Sequence, residues 1–100
     1  MKPKELLRYI QILEKRVEQV EKYIRKIAKK KLGKEEVDKH PDTIYLIYHL
    51  HEMDQRAELQ DSLIKNELQS YDLLQNERYS RLRELKNVLD TDKSVHHHNH

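Results

Sequence analysis

Leu6, Ile10, Leu13, Val17, Val20, Ile24 and Ile27 follow one another at spacings of 4-3-4-3-4-3. An unbroken heptad seam of this kind commits the first third of the chain to a helix with one narrow apolar stripe. Pro3 suits the first turn, where a missing N–H costs nothing, and Glu5 complements the positive end of the helix. Gly33 supplies the stop, since glycine takes positive φ without a steric cost. The seam therefore predicts a first helix over residues of about 3–32.

Residues 33–42, GKEEVDKHPD, form the expected loop, with room for a short helical turn. Pro41 ends it, and Asp42 or Thr43 is placed to cap the next helix. Apolar spacing then resumes through Leu46, Leu50, Met53, Ala57, Gln60, Ile64, Leu68, Tyr71, Gln75, Arg78, Leu82, Leu85 and Leu89. The steps alternate 4 and 3 except for one 4-4 step at Gln60–Ile64–Leu68, a stutter that locally unwinds a left-handed supercoil. Neither Gly nor Pro interrupts residues 43–90, so a single second helix is expected there, roughly 70 Å long against about 45 Å for the first. The polar, His-rich residues 91–100 are expected as a disordered tail.

Composition supports this reading. Charged residues make up 38% of the chain, and it holds one Gly, two Pro and no Phe or Trp. That is the make-up of long helices with thin seams rather than of a broad globular core. Cysteine is absent, which removes disulfides, thiolate ligands and a Cys nucleophile and fits a reducing, cytoplasmic setting. One glycine cannot build a Gly-rich phosphate loop, and no apolar run approaches the ~20 residues of a membrane span. The expected class is all-α: a long antiparallel helical hairpin, coiled-coil-like, in a single domain over residues 1–90.

A lone hairpin with helices of these lengths leaves the end of the second without a neighbour. Burying a leucine contributes about 1.5–3 kcal/mol, so unpaired seam leucines call for a partner. The expected oligomer or partner interface is therefore Leu68, Tyr71, Gln75, Arg78, Leu82, Leu85 and Leu89. The simplest product is a homodimer forming a four-helix bundle, with another protein as a further partner. Polar Gln60, Gln75 and Arg78 within the seam either fix register or strand number or mark a weak stretch of helix near 75–78.

The stretch KYIRKIAKKKLGK, residues 22–34, carries seven Lys and Arg and no acid. On the helical wheel Arg8, Lys15, Lys22 and Lys29 share the outermost position. Arg25, Lys26 and Lys30 flank them, with Tyr23 at the seam's edge. A cationic stripe with nearby tyrosine is one way to follow a phosphate backbone, so nucleic acid is the alternative partner. Against it stands the charge balance: residues 1–42 carry 13 basic and 8 acidic side chains, and residues 43–100 carry 7 and 10. An antiparallel hairpin is expected to lay the acids of residues 52–77 beside the stripe and partly neutralise it.

The remaining chemistry is thin. His51-Glu52 begins a zinc-protease pattern that needs a second histidine where Gln55 stands, and His49 and His51 lie on different helix faces. Glu18–Glu21 and Glu58–Asp61 resemble the paired ExxE and ExxD clusters by which the all-α nucleotide pyrophosphohydrolases hold magnesium. Here both pairs fall on outer or edge heptad positions. Ser62, Ser70 and Ser80 have no local base. The sequence leads us to expect a non-enzymatic, oligomeric coiled-coil interaction protein with an assembly, adaptor or regulatory role and with no cofactor, metal site or membrane contact.

Overall fold

The computed structural model describes the backbone of residues 2–98 and the side chains of residues 2–91. Its first helix, α1, spans Pro3–Leu32, with Pro3 in the first turn. Gly33 ends it at φ 93°, and its N–H returns to the Lys29 carbonyl at 3.1 Å. Three further helices follow: α2 over Lys34–Asp38, α3 over Thr43–Gln55 and α4 over Ser62–His98. The Asp42 carboxylate caps α3 by accepting from the Ile44 N–H at 3.0 Å, and Asp61 does the same for Leu63 at 2.9 Å in α4.

The long helices α1 and α4 lie antiparallel. Tyr9 donates to Glu77 at 3.2 Å, whereas Arg16, Gln19 and Val20 stand across from Glu67, Ser70 and Leu74, so the start of α1 sits beside the middle of α4. The all-α hairpin is thus present, but the second helix is not one rod. The expected 43–90 helix breaks after Gln55, and α3 doubles back on the hairpin. Arg25 of α1 reaches Thr43 at the start of α3, while His51 and Asp54 near its end face Asp72 and Lys65 of α4. These contacts make α3 parallel to α1 and antiparallel to α4. It covers one face of the hairpin, here the front face, over the half nearest the α1–α2 connection, here the loop end.

The break has a specific geometry. Glu58 N–H bonds the Met53 carbonyl at 2.9 Å and Ala57 N–H bonds that of Asp54 at 3.0 Å. This is the Schellman pattern that closes a helix with one residue in the left-handed conformation. Ala57 is that residue, at φ 60°. Leu59 then turns inward and is almost fully buried, whereas Ala57 and Gln60, the residues expected on the seam, are exposed. Burial of Leu59 outweighs the roughly 1–2 kcal/mol that a non-glycine residue gives up in this conformation.

Around Leu59 the loop end holds one continuous core. Ile24 and Ala28 of α1, Val37 of α2, Leu46, Ile47 and Leu50 of α3, and Ile64, Leu68 and Tyr71 of α4 all bury there. Toward the other end, the free end, α1 and α4 pack as two helices alone. Leu6, Ile10 and Leu13 are buried there at the level of half-buried Leu82 and Leu85. α1 therefore covers part of the overhang expected for the end of α4, as far as half-buried Leu82 and Leu85, while Leu89 beyond them stays exposed. At the far end, residues 91–98 of the expected tail continue α4, since each further residue adds a helical bond with no Gly or Pro to stop it. Asn99 and His100 lie outside the described residues. The whole is a rod of 60 × 24 × 20 Å.

The strained alanine gives a test of the break. Ala57→Gly relieves the left-handed conformation while keeping the Schellman bonds, and is expected to stabilise the fold by about 1 kcal/mol. Thermal unfolding of the variant should show a midpoint raised by roughly 4–8 °C. A lowered midpoint would mean that residues 56–61 are helical.

Candidate interaction surfaces

Where the expected interface residues lie changes what they do. Leu68 and Tyr71 are buried in the loop-end core, and Gln75, Arg78, Leu82 and Leu85 are half-buried in the seam between α1 and α4. Six of the seven thus serve the chain's own hairpin, and Leu89 alone stays exposed, at 45%. Gln75 Nε2 donates to the Tyr71 hydroxyl at 2.9 Å, and Arg78 Nη1 donates to Gln75 Oε1 at 3.1 Å. The Arg78 Nε stands 3.7 Å from Glu14 on α1, buried and without a hydrogen bond of its own. This relay runs along α4 and reaches α1 at Glu14.

The basic stripe divides as well. Arg25 is not part of an outer binding surface. Its guanidinium donates to the carbonyls of Val37 at 3.2 Å, His40 at 2.9 Å and Pro41 at 3.4 Å, and to the Thr43 hydroxyl at 3.5 Å. Tyr23 is exposed at 40%. Lys22 pairs with Glu18 at 3.6 Å, both side chains largely in solvent. Arg8, Lys15, Lys26, Lys29 and Lys30 are exposed and, among the described residues, form no ion pair. Among the described residues, no acid of residues 52–77 forms an ion pair with the stripe. Glu52 and Asp54 pair with Arg56 and Lys65, Asp72 faces His51, and Glu77 pairs with Arg81. Between α1 and α4 the one described ion pair runs the other way, from Glu14 to Arg78.

Two grooves flank the α1–α4 seam, one on each face. On the back face Arg16, Gln19 and Val20 of α1 and Glu67, Ser70, Leu73 and Leu74 of α4 line a shallow groove. Helical spacing puts Ile12, Tyr23 and Leu63 on the same face. Ile12 is 48% exposed, Leu63 61% and Leu73 63%, and no element covers them. On the front face, the groove continues past the start of α3. There Glu14, Val17, Glu18 and Glu21 of α1 stand across from Gln75, Arg78 and Tyr79, with Ile44 at the head. Neither groove was legible in the seam pattern, because their exposed residues lie beside the heptad positions rather than on them.

In the front groove, burial pushes the Glu21 carboxyl above its ordinary value, and Asp42 and Glu18 add to the rise while Arg78 opposes it. Burial also raises the Tyr71 hydroxyl, against the bond from Gln75. Glu58 and Asp61 lie in the α3–α4 turn, so the two acidic pairs do not share a site. Among the described residues no three His, Cys, Asp or Glu are placed to hold a metal ion, and no helix is long and apolar enough to cross a membrane. His51 faces Asp72 at 3.5 Å, while His40, Tyr45 and His49 stack in sequence on the outer side of α3. Comparison with protein-family models, curated proteins and solved structures gives no match to this chain.

Glu21 supplies a pH test. A folded-state pKa above the ordinary 4.5 means that folding favours the protonated acid. Its stabilising effect is full below 4.5 and is lost as pH rises through the folded value. Glu21→Gln should therefore raise the melting temperature at pH 7, with the gain vanishing below pH 4.5. An equal gain at both pH values would exclude the carboxylate as its source.

Proposed function

We propose that this chain is a non-enzymatic interaction protein that assembles through the back face of its hairpin. The observation that carries this reading is the row Ile12, Tyr23, Leu63 and Leu73, exposed on a two-helix layer whose other face α3 already protects. A soluble monomer rarely leaves such apolar side chains grouped on one face. A second copy placed back to back across a two-fold axis would cover them and convert two hairpins into a four-helix bundle. The assembly, adaptor or regulatory role expected from the sequence is kept, but its contact surface moves from the seam to the back groove. A cysteine-free chain with no membrane-crossing helix among its described residues supports a cytoplasmic setting.

Mass is the direct test. Light scattering at roughly 50 μM should return twice the 12.2 kDa chain mass, and the melting temperature should rise with concentration. Leu63→Ser with Leu73→Ser should return the mass to that of one chain with helicity intact. Leu82→Ser with Leu85→Ser should instead unfold the free end. A wild-type mass and melting temperature that ignore concentration would remove the dimer.

One observation favours a second reading, binding of nucleic acid along α1. The stripe of Arg8, Lys15, Lys26, Lys29 and Lys30 spans about 30 Å of helix without ion pairs among the described residues. If it binds phosphate, affinity for single-stranded RNA should fall with salt at a log–log slope of about 0.7 per phosphate neutralised. Replacing Lys15, Lys26, Lys29 and Lys30 with Gln should flatten that slope while circular dichroism stays unchanged. Binding that survives these changes, or none at ~150 mM salt where the Debye length is about 8 Å, excludes the stripe.

A further inference from the structure

The front groove shows, within this one chain, what kind of element it accepts. At the loop end it holds α3, an amphipathic helix that buries Leu46, Ile47 and Leu50 against α1 and α4. The same two helices continue side by side toward the free end, yet α3 has no extension there because it starts at Thr43. From the level of Val17 to the start of α1 at Pro3, no described element covers this face over about 14 residues, roughly 20 Å or four helical turns. Its head is apolar, with Ile44 and Tyr79 exposed at 59% and 55%.

Its walls are not neutral. Three carboxylates, Glu14, Glu18 and Glu21, line the α1 side; Arg78 faces them across the groove, and Lys22 pairs with Glu18 at 3.6 Å. Asp42, at the start of α3, adds a fourth negative charge close enough to act on Glu21. Arg78 is already committed to Glu14 and Gln75, which leaves Glu21 and Asp42 without an ion pair among the described residues. Arg25, one turn further along α1, is engaged with backbone carbonyls.

We propose that the open stretch of the front groove takes an amphipathic helix from another protein, about four turns long, with lysine or arginine along the flank that meets α1. The apolar face of such a helix would extend the packing that α3 makes, and its cations would meet the uncompensated acids at the groove's head. A neutral apolar helix would leave those acids desolvated and unpaired, which costs affinity. The back-face assembly is a separate matter, since the two grooves lie on opposite faces of the hairpin.

The probe is a synthetic, fluorescein-labelled 15-residue peptide with leucine on one face and lysine on its flanks, titrated by anisotropy against the full chain. Binding on the order of micromolar is expected, with the glutamate-for-lysine version at least about tenfold weaker. Glu18→Gln combined with Glu21→Gln should weaken the lysine peptide about tenfold, and Tyr79→Ala should weaken it as well. Leu73→Ser on the back face should leave the affinity unchanged even where it breaks the dimer, so the two readings fail separately. Circular dichroism of each variant checks that the fold persists. Equal affinity for both peptides, or an equal loss from Glu35→Gln with Glu36→Gln on α2, would reduce the effect to bulk charge and overturn the proposal. Absence of wild-type binding at about 100 μM would overturn it too. So would a fall in light-scattering mass caused by Tyr79→Ala, because a second copy would then be the occupant.

Discussion

The Arg25 guanidinium gathers three backbone carbonyls and a hydroxyl from the segment between α2 and α3. The last carbonyls of a short helix such as α2 have no helical partner; the Val37 carbonyl accepts from the His40 N–H at 3.1 Å and from Arg25, and those of His40 and Pro41 beyond it accept from Arg25. A fixed fork of cationic donors satisfies several of them at once, more strongly than a neutral donor would. That clamp holds the connection against the middle of α1, so α3 starts beside Glu21 and Arg25 rather than past Leu32. This placement produces the three-helix core at the loop end, the two-helix stretch at the free end and the open groove between them.

The same clamp redistributes charge. An arginine that the sequence offers to a phosphate is used internally, and the acids of α3 and α4 find cations on their own helices or across the α3–α4 contact. The lysines of α1 are left to solvent, while the acids of its front edge gather where α3 begins. The molecule therefore carries separated fields on two sides of one helix, and its small net charge of +2 conceals them.

Much of this architecture was legible in the residues. The heptads of α1, the stop at Gly33, the Asp42 cap and the antiparallel pairing of the long helices all follow from periodicity and end chemistry. The break at residues 56–61 did not, because RAELQD contains no Gly or Pro and favours helix residue by residue. Its traces were indirect: the 4-4 step at Gln60, a glutamine where the seam wanted an apolar side chain, and Leu59 one position off register. Tertiary burial of Leu59 overrode local propensity, and no periodicity argument weighs a single buried leucine against a turn. The same break sets Leu68 and Tyr71 of the expected interface in the chain's own core and leaves Leu89 exposed. The grooves lie on flanks that the seam pattern treats as solvent-facing, and only the packing shows that they remain uncovered.

The left-handed alanine also sets an order of opening. A turn made of helix-favouring residues stores a local preference opposed to the fold, and α3 is held chiefly by three buried side chains, the Arg25 clamp and contacts of His51 and Asp54 with α4. The α1–α4 hairpin rests on a seam that runs most of its length. Amide protons of α3 and of residues 56–61 therefore exchange through a local opening that leaves the hairpin closed, while those in the middle of α1 and α4 wait for global unfolding. The chain is cooperative along its axis and divisible across it.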